Sequence, residues 1–396
     1  MTYIELMNGA FGGSLPEFPG DNCASRIDSF FAANGVGVKV VDMEHGPVVT
    51  KYIVDFGSDT DHVSKVENLR RDLGIRLGVG ASRVYIGETE WNGQVKLAIE
   101  VPNRNRIAVP SGTVIPAVKR GQEWRGLRVC LGVDTSGKPY TIDLHKAPHV
   151  LVAGQSGSGK SVFLNSMICG LLANYSPSEC HIDVVDPKGT EFNAFCRWPA
   201  MLDSVDVHHA DDAVPLLGEL VDSMKSRMEE FGKYGVCNLP EYGALCDERG
   251  VEWGFPYRVV IIDEFYDMMM NYGSAFEDPL SILAAKARSC GIHLVLATQR
   301  PSADVIRGAL KANLSTRIAL KVSSRTDSQV IIDRPGAESL CGRGDMLYCG
   351  PDGDIPLRLH GCMLTKDELE ELHRRAVSVE YIDGFRGTDE VSVAAG

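Results

Sequence analysis

Val150 Leu151 Val152 Ala153 runs directly into Gly154 Gln155 Ser156 Gly157 Ser158 Gly159 Lys160 Ser161. The second stretch fits G-x-x-x-x-G-K-[ST], and the first is the short apolar strand that delivers a chain to such a loop. The loop binds phosphate for physical reasons. Its glycines let backbone N–H groups converge on anionic oxygens, and the helix that follows turns the positive end of its dipole toward the same point. Lys160 would reach the terminal phosphates and Ser161 a Mg²⁺ ion. Beyond them Phe163, Leu164, Met167, Ile168, Leu171 and Leu172 recur at the spacing of one helix face. Strand, loop and helix are all present, so Gly154, Gln155, Ser156, Gly157, Ser158, Gly159, Lys160 and Ser161 are assigned to nucleotide binding, with ATP and Mg²⁺ as the implied cofactors.

Outward from this loop, apolar runs at 181–185, 259–262, 294–297 and 318–322 alternate with helical patterns. That alternation predicts an α/β fold with a parallel sheet covered on both faces. The run Arg258 Val259 Val260 Ile261 Ile262 ends on Asp263 Glu264, the context of a Walker B element. Asp263 would hold Mg²⁺ through water. Glu264, one residue on, would polarise the water that attacks the γ-phosphate, because hydrolysis depends on positioning and charge stabilisation. Asp186, in Asp186 Pro187 Lys188 Gly189, competes with Asp263 but has no adjoining acid, and Pro187 redirects the chain at once. Gln299, just past the run at 294–297, stands where a polar side chain could sense the γ-phosphate.

Upstream, 36–101 reads as α+β, with strand-like stretches at 38–41, 48–56, 84–86 and 95–101. A single helix is expected where Val63, Val66, Leu69, Leu73 and Leu77 recur. A basic stretch holding Arg104, Arg106, Lys119, Arg120, Arg125 and Arg128 then marks a boundary. The expected division is an extension over 1–35, a small α+β domain over 36–128, the α/β core over 129–380 and a tail over 381–396. Near the end, Thr365 and Glu368 form a capping box that opens a helix through about 376.

With 396 residues the chain can bury a large core, and its net charge of −13 taken alone argues against a protein that coats nucleic acid. No run approaches eighteen apolar residues and no basic-then-apolar leader opens the chain, so a cytoplasmic protein without a membrane span is expected. Eleven cysteines without a C-x-x-C pair suggest neither a disulfide framework nor a zinc site. His208 and His209 are adjacent but lack acid or cysteine partners at ligand spacing, and read as structural or solvated.

Several strings resemble the FtsK/SpoIIIE family of DNA-translocating ATPases. They include Ala147 Pro148 His149 Val150, Asp186 Pro187 Lys188 Gly189 and Val260 to Phe265, and they are densest from Lys286 to Leu347, with Gly291 Ile292 His293 and Ala297 Thr298 Gln299 Arg300 Pro301. Gly46 Pro47 Val48 Val49 Thr50 and Val101 Pro102 Asn103 resemble the smaller domain that precedes the motor. The resemblance implies a RecA-like P-loop ATPase core with a smaller N-terminal α+β domain, assembled as a hexameric homo-oligomer that pulls double-stranded DNA through a ring. It also implies an arginine finger at Arg288, completing a neighbour's site, and DNA-contacting residues at Arg300, Lys311 and Arg325. A fourth position, commonly basic in the family, is Gln329 here.

From 300 to 325 the chain carries Arg307, Arg317 and Lys321 as well, against Asp304 alone. With a Debye length of about 8 Å, acids on a ring's outside are largely screened from its bore, so local charge outweighs net charge. The family's membrane spans, linker and winged-helix module have no room in this length, so a motor without anchor or sequence-reading domain is expected. Two other readings stay open: a coupling or packaging ATPase of a conjugative element, phage or secretion system, and a non-motor nucleotide-dependent binding module.

Overall fold

The order of strands in a ten-stranded sheet explains where the chemistry sits. From one edge it reads Val205–His208, Cys180–Val185, Tyr257–Ile262, Ile292–Thr298, His149–Ala153, Thr316–Leu320, Asp345–Cys349, Leu357–His360, Arg128–Asp134 and Pro139–Asp143. In this computed structural model the described residues are 16–57, 62–117, 126–199, 203–251, 254–302, 308–352 and 355–389. The first six strands run parallel. The last four join on antiparallel, so the sheet is mixed where a parallel one was expected. The reason is connection length. A turn such as Thr135–Lys138, between Arg128–Asp134 and Pro139–Asp143, can only return the chain antiparallel, whereas a parallel neighbour needs a long crossover.

Alternation along the parallel strands builds two cores. Val150, Val152, Ile182, Val184, Val259 and Ile261 face one side with the helix Lys160–Asn174. Leu151, Val185, Val260, Ile262, Leu294 and Leu296 face the other, under the helices Ala213–Tyr234 and Ser274–Lys286. The helix after the phosphate loop departs from its expected one-sided pattern. It is buried on nearly every turn, since the Ile115–Ala117 turn, the strand Cys362–Met363 and the C-terminal helix cover its outer side. That last helix, Lys366–Asp389, starts at the expected box, where Glu368 N–H donates to Thr365 Oγ1 and Thr365 N–H to Glu368 Oε2. It continues beyond 376 into the stretch expected to be a tail, while residues 390–396 lie outside the described ones.

The smaller unit is an antiparallel sheet in the order Val38–His45, Val49–Phe56, Gln94–Pro102, Tyr85–Trp91. A helix over Ala24–Ala33 sends Ile27 and Phe31 into its core, so this packing unit reaches back into the stretch read as an extension ending at 35. The expected single helix is two, Val63–Asn68 and Arg70–Leu77, parted at Leu69. A buried arginine fastens the two units together. Arg358, 1% exposed, donates through Nη1 to Glu100 Oε2 at 2.8 Å, and through Nε and Nη2 to Asp345 at 2.9 and 2.7 Å.

Candidate nucleotide site

The strand Ile292–Thr298 lies between the phosphate-loop strand and the strand that ends on Asp263, so the loop, Gln299 and the two acids meet along one edge of the sheet. Gly154 N–H donates to Thr298 O at 3.2 Å and Gln155 N–H to Lys321 O at 2.9 Å, which ties the loop's entry to the ends of both neighbouring strands. Gly159 opens the helix at φ 102, where a Cβ would sit 2.4 Å from Gly344 N. A side chain there would meet both a forbidden backbone region and rigid backbone. Gly344 N–H in turn donates to Ser158 O at 2.8 Å, so the loop is braced from the segment that carries Asp345.

Lys160 and the two acids form a buried ionic cluster. The Lys160 ammonium contacts Asp263 Oδ1 and lies 3.5 Å from Glu264 Oε1. Glu264 is further held by Lys188 Nζ at 3.2 Å and by Gln299 N–H at 3.1 Å. These contacts split the acidities of two adjacent carboxyls. For Asp263 burial outweighs the pull of Lys160 and raises its pKa. For Glu264 burial pushes the same way, but Lys160, the Gln299 N–H and Lys188 together hold it below the usual range. Glu264 also adopts φ 48, a left-handed value that costs a non-glycine residue about 1–3 kcal/mol and persists only where the surroundings enforce it. Its carboxylate is thereby turned to its two donors at the head of the helix Phe265–Tyr272.

Sequence reasoning missed Lys188. The signal was present, since a lysine follows the end of the strand Cys180–Val185, but attention fell on Asp186 beside it. Asp186 is a loop organiser: it accepts N–H bonds from Lys188, Gly189, Glu191 and Phe192 at 3.0–3.2 Å. Gln299 stands at the expected place. With Gln155, Tyr266, Arg300, Ser323 and Asp327 it lines a cleft of about 280 Å³ beside the loop.

Residues 114–303 match the FtsK/SpoIIIE family and residues 20–103 match the FtsK alpha domain. The chain belongs to the FtsK/SpoIIIE family. DNA translocase SpoIIIE of Bacillus subtilis is 39% identical over 356 residues, 88% of this chain and 44% of that protein. DNA translocase FtsK of Pseudomonas putida is 38% identical over 356 residues, 85% of this chain and 42% of that protein. The chain thus spans less than half the length of these relatives. Among solved structures, conjugation coupling protein TcpA in a monomer form with ATPγS superposes with a TM-score of 0.56 at 23% identity, over 89% of this chain and 99% of that one. That likeness supports the α/β fold.

Of the other positions carried over from the FtsK/SpoIIIE family, Arg300 lines the cleft beside the loop, whereas Arg288 lies away from it. Arg288 is exposed before the start of the strand Ile292–Thr298, with Nε donating to His145 O at 3.1 Å. That strand runs parallel to His149–Ala153, pairing Leu294 with His149, and the loop leaves from the opposite end. Seven strand residues at about 3.3 Å each separate the two ends, so Arg288 does not reach its own chain's site. Arg300 is exposed at the cleft, and Arg325 is exposed at the start of the helix Arg325–Ile332, capped by Ser324. Lys311 pairs with Asp333 at 2.7 Å and Arg317 contacts the same carboxylate, so part of the expected basic band is neutralised internally. Lys119, Arg120, Arg125, Asp304 and Arg307 lie outside the described residues.

Proposed function

We propose that the chain is an ATP-hydrolysing, Mg²⁺-dependent motor that moves double-stranded DNA, with copies of it closing into a hexameric ring in the cytoplasm. The observation that carries this reading is the second buried acid. A binding module or switch needs Asp263 for a cation, but has no use for an adjacent carboxylate kept ionised and held in a strained backbone conformation. The names of the relatives, DNA translocases, supply the substrate. Eleven unpaired thiols suit a reducing compartment.

The residues fit a nucleotide with its metal. Asp263 is buried with its carboxylate against Lys160, a cation whose place beside it Mg²⁺ would take. Ser161 is the second residue of the helix Lys160–Asn174. Ser158 Oγ is buried in the loop without a hydrogen-bond partner. Mg²⁺ bound by Ser161 and Asp263 would neutralise phosphate charge. Lys160, drawn to the phosphates, leaves the acids, and Lys188 and the Gln299 N–H keep Glu264 in place to orient water. Gln299 links that water to the cleft where Arg300 stands. Arg288, turned away from its own site, is assigned to a neighbour's triphosphate, where a guanidinium is worth about 10³–10⁵ in rate. Arg300, Lys311 and Arg325 are assigned to the duplex.

The test is ATPase activity with and without linear duplex, beside electron microscopy of the nucleotide-bound particle. Lys160→Ala should abolish turnover. Glu264→Gln should bind ATP and lose on the order of 10²-fold or more in rate. A Glu264→Gln variant working at the parental rate removes Glu264 from the mechanism. A monomer whose ATPase ignores DNA ends the motor reading.

A further inference from the structure

At the outer edge of the large sheet lies a cluster that nucleotide chemistry does not use. His181 and Asp183 belong to the strand Cys180–Val185, and Asp206 and His208 to its edge neighbour, where Asp206 is the register partner of Asp183. His181 Nε2 lies 3.6 Å from Asp183 Oδ1 and 3.4 Å from Asp206 Oδ2. Strand pairing brings His181 and Asp183 alongside Asp206 and His208.

The tautomer of His181 shows what the cluster requires. Its Nδ1 is 2.8 Å from the Asp203 carbonyl oxygen, which can only accept, so Nδ1 carries a proton and Nε2 is the atom left facing the acids. Asp203 presents that carbonyl from a left-handed backbone, φ 46. His181 is 6% exposed, and its Nε2 makes no hydrogen bond while facing two carboxylates. Two carboxylates beside one buried ring nitrogen repel each other unless a cation, a proton or a metal ion, sits between them. Neither oxygen is in hydrogen-bond geometry with Nε2. Asp183 is paired with Arg258 and His208, and Asp206 faces His181.

We propose that His181 Nε2, Asp183 and Asp206 bind Zn²⁺, with water in the fourth position. A tetrahedron with bonds of about 2.0–2.1 Å has edges of about 3.3–3.4 Å, and the two His181–carboxylate separations lie close to that. The outer contacts are those that orient metal ligands. Nδ1 is anchored on a carbonyl, and Asp183 is gripped by Arg258 through Nε and Nη2 and faces His208 Nε2 at 3.2 Å. The Asp206 side chain is 61% exposed, which gives the ion a path in and the water a place. One ion there staples the short edge strand to its neighbour.

The full-length, untagged chain, stripped of metal by a chelator and free of nucleotide, is titrated with Zn²⁺ against a zinc indicator. One equivalent should bind, with an affinity that Asp206→Ala and His181→Gln each reduce at least about tenfold. X-ray absorption of the zinc complex should show imidazole nitrogen and oxygen without sulfur. Because Asp206 is exposed, its replacement tests the ligand set without emptying a core position. Unchanged affinity in Asp206→Ala, sulfur in the coordination shell, or the absence of stoichiometric binding overturns the proposal.

Discussion

Replacing Arg358 with Met tests whether the fastening between the two units is ionic. Methionine keeps most of the buried stem volume, so the cavity contribution stays small, while three charge-assisted bonds to Glu100 and Asp345 are lost. Each such bond is worth about 1.5–3 kcal/mol, but desolvating the guanidinium cancels much of that gain. The dominant cost is two buried carboxylates left without their guanidinium, Asp345 keeping only the Cys341 N–H and His360, about 3–5 kcal/mol. Urea denaturation followed by circular dichroism should show a loss of that size at neutral pH. Changing Glu100→Gln and Asp345→Asn in the same chain should recover most of it.

The pH dependence gives a sharper check. Burial would raise the Asp345 pKa, but Arg358 beside it outweighs burial and holds the carboxyl far below the ordinary value of about 3.9. In the parent, the stability contributed by this group is present above the unfolded pKa and is lost as pH falls through the native one. Without Arg358 burial is opposed only by His360 and the Cys341 N–H, so the native pKa rises and the variant loses less stability than the parent as pH falls. The gap between parent and variant should therefore narrow with acidification. A cost below about 1 kcal/mol, or a gap that widens at low pH, would refute the argument.

Three further outcomes follow from the nucleotide site. Gly159→Ala should fold but lose ATP affinity by more than about tenfold in a fluorescent-nucleotide titration, since its Cβ would meet Gly344 N at 2.4 Å from a φ of 102; parental affinity would show that the loop adapts. Arg288→Ala should bind nucleotide normally yet lose about 10³-fold in DNA-stimulated hydrolysis, and mixing it with Lys160→Ala subunits that keep Arg288 should partly restore activity. Failure of that mixing would place Arg288 within its own subunit. Lys188→Met should lower the ATPase rate with little change in nucleotide affinity and shift the acidic limb of the pH–rate profile upward, because the Glu264 carboxylate loses a donor that depresses its pKa. An unmoved limb would mean that Lys160 and Gln299 suffice.

Much of the site was legible because its signals are contiguous. The phosphate loop lies in eight successive residues, the two acids close a run of apolar ones, and Gln299 follows a strand long enough to recognise. The antiparallel strands were harder to see. Leu357–His360 and Arg128–Asp134 alternate or mix polar with apolar residues, and Val205–His208 has four residues, too few for a periodicity to emerge. Lys188 escaped because its partner, Glu264, is 76 positions away. Lys311 and Arg317 counted as free basic charge until the fold brought Asp333 to both.

The linear chain alone marked the loop proposed to grip phosphate, the strand that bears the acids and the covering of a sheet by helices, since each depends on side chains within one element or on the rotation between neighbours along it. Folding decided the rest. The lysine clamp on Asp263 and Glu264, the Glu100–Arg358–Asp345 tie and the His181–Asp183–Asp206 cluster join residues on different strands. Strand order and register set those encounters, and both depend on the free energy of the whole packed sheet, which no local stretch encodes.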